Sequence, residues 1–90
     1  MRILLTNNTL AFRSGSELYV RDLAIELRQR DHEPIAYSPQ LGDVADDLRD
    51  ATIPVTSDLR SIRLQPDVIH GQHHLETMAA LTSFPGVPAI

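Results

Sequence analysis

MRILLTNNTLAFRSGSE, residues 1–17, begins the chain with a short apolar run, a polar loop and a helix-capping pattern. The apolar run predicts a buried strand over Arg2–Thr6. Ser14 and Glu17 have the S-x-x-E spacing of a capping box, which predicts a helix from about Ser16 to Arg30. The later stretch PDVIHGQHH, residues 66–74, repeats this order and predicts a strand over Asp67–His70 followed by another helix. Short apolar strands that alternate with amphipathic helices are typical of a parallel sheet.

The other segments complete this alternation. The further predicted elements are strands over Glu33–Ser38, Ile53–Val55 and Val87–Ile90, helices over Asp43–Ala51 and His73–Ser83, and a helical turn within Ser57–Leu64. Connections between parallel strands are right-handed, which leaves few topologies. We therefore predict an α/β domain over residues 1–90, with a parallel sheet in the order 3-2-1-4-5 between two layers of helices.

Composition narrows the classes of partner. The formal net charge is −4 and all eight basic residues are arginines scattered along the chain, so we expect no nucleic-acid partner. Cysteine is absent, which excludes disulfides, thiol catalysis and cysteine-bound zinc. The opening apolar run is too short for a signal peptide, and no segment approaches a membrane span. The expected location is cytoplasmic.

The candidate binding residues follow the first and fourth predicted strands, where parallel sheets bind ligands. They are Asn7, Asn8, Ser14, Gly15, Ser16, Glu17, His70 and His73. A helix N-terminus favours an anion such as phosphate, and a glycine allows close approach. The simpler interpretation is that Ser14 and Glu17 only cap the helix. A dinucleotide fingerprint and a P-loop are both excluded, because the loop has one glycine and the chain has no lysine.

Three histidines lie together in His70-Gly71-Gln72-His73-His74. Imidazole can bind zinc or act as a general base, but the spacing here is poor for a metal site. We therefore expect no metal and no cofactor. His70 or His73 is expected to line a cleft, whereas capping or solvent exposure is the simpler interpretation for His73 and His74.

Taken together, these segments resemble the start of GT-B-fold glycosyltransferases of family 4. That family typically has G-G-x-E at the first helix, a helix that ends L-x-x-x-G-H-x-V, and a later P-D-V-I-H-x-H segment. The corresponding residues here are Ser14–Glu17, Leu27–Ile35 and Pro66–His73, in the same order and at suitable spacing. The chain differs in having Ser14 and Asp31 in place of glycines, and in a second histidine displaced by one position to His73.

The resemblance implies a Rossmann-like, acceptor-side N-terminal domain of a retaining hexosyltransferase. In that family a second domain binds the nucleotide-sugar donor, and a catalytic histidine follows the strand predicted here from Val87. We therefore expect a partial, truncated N-terminal domain that contains no catalytic residue and is inactive alone. Nucleotide-sugar donor and acceptor would bind only to the full-length protein, for which the resemblance also allows a peripheral membrane contact.

Two other classes of function stay open. One is a small flavodoxin-like module that holds a phosphate or another ligand at the helix N-terminus, and the other is an interaction domain without a small ligand. We also expect the chain to form homo-oligomers, because a sheet edge and apolar surface left uncovered near Val87–Ile90 favour self-association.

Overall fold

Four apolar segments pair as parallel strands, and three helices cover them. The computed structural model describes residues 1–90. Its elements are β1 (Arg2–Thr6), α1 (Gly15–Gln29), β2 (Glu33–Tyr37), α2 (Asp43–Asp50), β3 (Val55–Thr56), a 3₁₀ turn (Leu59–Ser61), β4 (Val68–Gly71) and α3 (His74–Ser83). The strand order is β3-β2-β1-β4, and every pairing is parallel. The predicted α/β class and the order 3-2-1-4 are therefore confirmed.

Alternate residues of β1 enter two separate cores. Ile3 and Leu5 pack with Val20 and Ala24 of α1 and with residues of α2 on one face of the sheet. Leu4 packs with Ile69, Ala80 and Val87 on the other face, where α3 lies. Because β1 is buried on both faces, its sequence is a continuous apolar run rather than an alternating one.

The third and fifth predicted strands differ from the structure. β3 begins at Val55 rather than Ile53, because the Ile53 N–H donates to Leu48 O at 2.9 Å and Pro54 has no N–H to donate. No strand forms over Val87–Ile90. That segment makes only an isolated parallel bridge between Ala89 and Ile69, and Pro88 cannot donate to a longer ladder.

The helices α1 and α2 are each followed by a residue in the left-handed region. Asp31 after α1 has φ 65°, and Thr52 after α2 has φ 62°. The N–H of His32 donates to Leu27 O at 3.0 Å, and Ile53 N–H to Leu48 O at 2.9 Å. Both ends are Schellman motifs, which usually place glycine at the left-handed position. Asp31 is one of the two positions where this chain lacks a glycine that the resembled family has.

Candidate functional site

The strand order reverses between β1 and β4, which gives the sheet a topological switch point at their carboxyl ends. β2 lies on one side of β1 and β4 on the other, with Thr6 opposite Gly71. The Gln72 N–H donates to Thr6 O at 3.3 Å, so the loops that follow the two strands start side by side. Such a switch point is where open parallel sheets bind ligands.

The loop after β1 is held in place by the start of α2. Leu10 is fully buried, and its N–H donates to Gln40 O at 2.7 Å, while its carbonyl accepts from Gly42 and Ala45. Gly42 is required for this contact, since a Cβ there would lie 2.7 Å from the Cα of Ala11. The sequence predicted a polar loop over Asn7–Arg13, and nothing in the local pattern indicated that Leu10 belongs to the core.

An ion-pair network fixes the far end of the same loop. Arg13 Nη2 donates to Asp47 Oδ1 at 2.9 Å, and its Nε to Asp47 Oδ2 at 3.2 Å. Arg21 Nη1 lies 3.4 Å from Asp47 Oδ2. The hydrogen bonds from Arg13, assisted by its charge, hold the pKa of Asp47 below its usual value. These ion pairs therefore tie the end of the loop to α2.

The Glu17 side chain points toward the loop that follows β1 rather than into solvent. Its side chain is 1% exposed. Its carboxylate accepts from Phe12 N at 2.7 Å, from Ser14 N at 3.2 Å and from Ser14 Oγ. Burial acts to raise the pKa of Glu17, but the hydrogen bonds from Ser14 and Phe12 outweigh it, so the pKa lies below its usual value. Glu17 is thus a structural part of the candidate site.

Ser14, Gly15 and Ser16 lie at the rim, where α1 begins. Ser14 and Gly15 are exposed, and the first N–H groups of a helix have no partner within it. Gly15 does not have a positive φ, and a Cβ added there would meet nothing within 4 Å. The fold itself therefore does not require glycine at this position. Close approach by a ligand remains a reason for it.

Asn7 and Asn8 occupy different environments. Asn7 is fully buried, and its Nδ2 donates to Thr9 O at 2.8 Å and approaches Ser16 Oγ at 3.4 Å. Its Oδ1 is buried without a partner. Asn8 is exposed. The structure thus brings Asn7 against the start of α1 and leaves Asn8 on the surface.

His70 and His73 lie on different sides of the sheet end. His70, opposite Leu5 in β4, lies near α1, with its ring centroid 6.0 Å from that of Tyr19. Tyr19 follows Gly15 by one helical turn, so His70 and the start of α1 are neighbours. His73 is the N-cap of α3, as the simpler interpretation has it, but its Nε2 is buried without a partner. His74 begins α3 and is exposed.

Three features of this edge were missed in the sequence. Thr6 Oγ1 is a further buried polar atom without a partner. Gly71 allows α3 to pack closely, since a Cβ there would lie 2.0 Å from Thr77 Oγ1. Tyr19, predicted only as part of a buried stripe, is 49% exposed beside His70. The sequence offered a signal for only one of these three features. Gly71 is a glycine that lies between a strand and the polar start of the next helix.

Comparisons with known proteins add nothing to this geometry: no family model, no curated protein and no solved structure matches the chain. No group of three or more histidine, aspartate or glutamate side chains is arranged to hold a metal ion. None of the helices combines the length and the apolar character needed to cross a membrane.

Proposed function

We propose that this chain is the acceptor-side, Rossmann-like N-terminal domain of a retaining GT-B glycosyltransferase of family 4. The observation that carries the proposal is the switch point at the carboxyl ends of β1 and β4. It brings the S-G-S-E start of α1 and the end of the P-D-V-I-H strand to one edge of the sheet. These are two of the three segments on which the resemblance rests. Val87–Ile90 forms no strand here, but the bridge from Ala89 to Ile69 lies beside β4, where the proposed order 3-2-1-4-5 has its fifth strand.

The exposed polar groups at this edge suit a ligand rich in hydroxyl groups, because sugar hydroxyls both donate and accept hydrogen bonds. Asn8 and Ser14 are exposed here. Thr6 Oγ1, Asn7 Oδ1 and His73 Nε2 are buried without partners and are not open to a ligand in this structure. The free N–H groups at Gly15 and Ser16 then face the donor phosphates in the cleft of a complete enzyme.

The test uses the longest polypeptide that the gene encodes. We expect a second α/β domain downstream and transfer from a UDP- or GDP-sugar, measured as release of the nucleoside diphosphate. Gly15→Ala is expected to lower this release at least tenfold, because its methyl group occupies the ligand's approach. Gly86→Ala is the matched control, since a Cβ at Gly86 also meets nothing within 4 Å. Equal activity of both variants, or a reading frame without a second domain, would contradict the proposal.

The 90-residue chain alone is expected to bind no nucleotide sugar tightly. Calorimetric titration that shows tight, sugar-independent binding of phosphate compounds, lost in Gly15→Ala, would instead support the flavodoxin-like module.

We further propose that the chain self-associates along α1. Tyr19, Leu23 and Leu27 line an open apolar groove with Val68 and Ile90. Light scattering is expected to give a mass above the 10.0 kDa of one chain, and Leu23→Glu is expected to return it to that value. A monomer at millimolar concentration would refute this.

A further inference from the structure

A cavity of about 570 Å³ lies at the opposite edge of the sheet, among the amino ends of the strands. Arg2 and Glu33 are the first residues of β1 and β2, and Pro54 and Pro66 precede β3 and β4. The cavity therefore lies at the opposite end of the sheet from the switch point at the carboxyl ends of β1 and β4. Its volume is in the range of small-molecule sites in proteins.

The arginines that lack a carboxylate hydrogen bond are concentrated in this cavity. Each of the other five donates to an aspartate or a glutamate; these are Arg13, Arg21, Arg30, Arg49 and Arg60. The remaining three, Arg2, Arg28 and Arg63, all line the cavity. In a chain with a net charge of −4, acidic partners are plentiful, so this separation of the arginines is informative.

The three guanidinium groups have little else to bind. Arg2 Nε is buried without a hydrogen-bond partner, although Glu33 Oε2 lies 3.4 Å away. Arg28 Nη2 reaches only Thr52 Oγ1, at 3.5 Å. Arg63 takes part in none of the chain's ion pairs. Glu33 is the only acidic side chain in the lining, and the nearby Asp67 accepts from the Arg2 N–H at 2.7 Å.

We propose that this arginine cavity binds a small organic phosphate. Guanidinium groups present paired N–H donors that match the oxygen atoms of a phosphate, and three of them exceed what one glutamate neutralises. Ile35, Ile62 and Leu64 line the same cavity together with prolines. The phosphate group therefore faces the arginines, and an apolar or ring-shaped body of the ligand packs on these side chains. This inference does not depend on the proposed glycosyl transfer.

Calorimetric titration of the 90-residue chain tests the proposal. The probes are phenyl phosphate, inorganic phosphate and benzyl alcohol, each at low ionic strength. We expect saturable one-to-one binding of phenyl phosphate, weaker binding of inorganic phosphate and none of benzyl alcohol, because charge and apolar contact act together. Arg2→Gln and Arg63→Gln are each expected to weaken phenyl phosphate binding roughly tenfold, through the loss of charge-assisted hydrogen bonds.

Arg49→Gln is the matched control, since Arg49 is exposed and pairs with Asp46 outside the cavity. Its affinity is expected to stay within twofold of the unaltered chain. In NMR spectra, phenyl phosphate is expected to shift the amide signals of Ile35 and Ile62 but not that of Gly15. No saturable binding, equal weakening in Arg49→Gln, or shifts centred on Gly15 would each overturn the proposal.

Discussion

Removal of the Glu17 carboxylate is the most informative perturbation of the candidate site. In Glu17→Ala the N–H groups of Phe12 and Ser14 lose a charged acceptor, and both hydrogen bonds are partly buried. A hydrogen bond to a charged group contributes about 1.5–3 kcal/mol, and a buried donor left unpaired costs about 1–3 kcal/mol. We therefore expect the free energy of unfolding to fall by about 3 kcal/mol, out of the ~5–15 kcal/mol typical of small domains.

Acid sensitivity gives an independent readout of the same group. The pKa of Glu17 is lower in the folded chain than its usual value of 4.5, so the unfolded state binds more protons in acid. Its contribution to stability is complete above that unfolded value and is lost as the pH falls through the lower folded pKa. Glu17→Gln retains one oxygen acceptor and has no charge. Its loss of stability between neutral and acidic pH is therefore expected to be smaller than that of the unaltered chain.

Urea unfolding at several pH values, followed by circular dichroism, measures both effects. The control is Glu26→Gln on the same helix, whose exposed pair with Arg30 is expected to contribute no more than about 0.5 kcal/mol. Asp47 and Asp58 also have lowered pKa values, so they contribute to the pH dependence of every variant. The effect of Glu17 is therefore taken from the difference between the stability curves of Glu17→Gln and the unaltered chain. A cost below about 0.5 kcal/mol for Glu17→Ala, or parallel pH curves for Glu17→Gln and the unaltered chain, would refute the reasoning.

Three further predictions concern the fold around the site. Gly71→Ala is expected to lower the free energy of unfolding by about 1–3 kcal/mol in urea titrations, because its Cβ would lie 2.0 Å from Thr77 Oγ1; an unchanged midpoint contradicts this. Asp31→Gly is expected to raise it by about 0.5–1 kcal/mol, since φ 65° favours glycine at the end of α1. Asp47→Asn is expected to speed amide hydrogen exchange in the Asn7–Arg13 loop, because Arg13 loses its charged partner. Unchanged exchange would contradict a role for this ion pair in holding the loop.

The sequence predicted those parts of the fold that depend on local pattern. β1 has the predicted bounds, and α1 begins one residue before the predicted Ser16, because a capping box and an apolar stripe specify a helix on their own. β3 was misplaced because its pairing with Ala36 and Tyr37 depends on a neighbouring strand. Leu10 was missed for the same reason: its bridge to Leu41 joins two loops, and no periodicity within either loop indicates it.

The candidate site was predictable to the extent that topology determines it. Once β1 and β4 are neighbours in a parallel sheet, Asn7, the start of α1 and His70 must lie at one edge. The roles of individual side chains were not predictable, because they depend on burial. Asn7 was predicted as a polar loop residue and Glu17 as part of a helix cap, yet both are buried, and Glu17 also accepts from Phe12 in the loop.

The arginine cavity raises a different question, namely whether helix electrostatics alone explains it. In a parallel sheet the helix C-termini lie at the amino edge of the strands, and their partial negative charge attracts cations. That explanation suffices for Arg28, which lies in the last turn of α1. It does not apply to Arg2, which begins a strand, or to Arg63, which follows the 3₁₀ turn. If the helix dipole alone explains the arginines, Arg28→Gln changes stability, and Arg2→Gln and Arg63→Gln leave phosphate binding unaltered. If the cavity is a phosphate site, Arg2→Gln and Arg63→Gln both weaken phosphate binding.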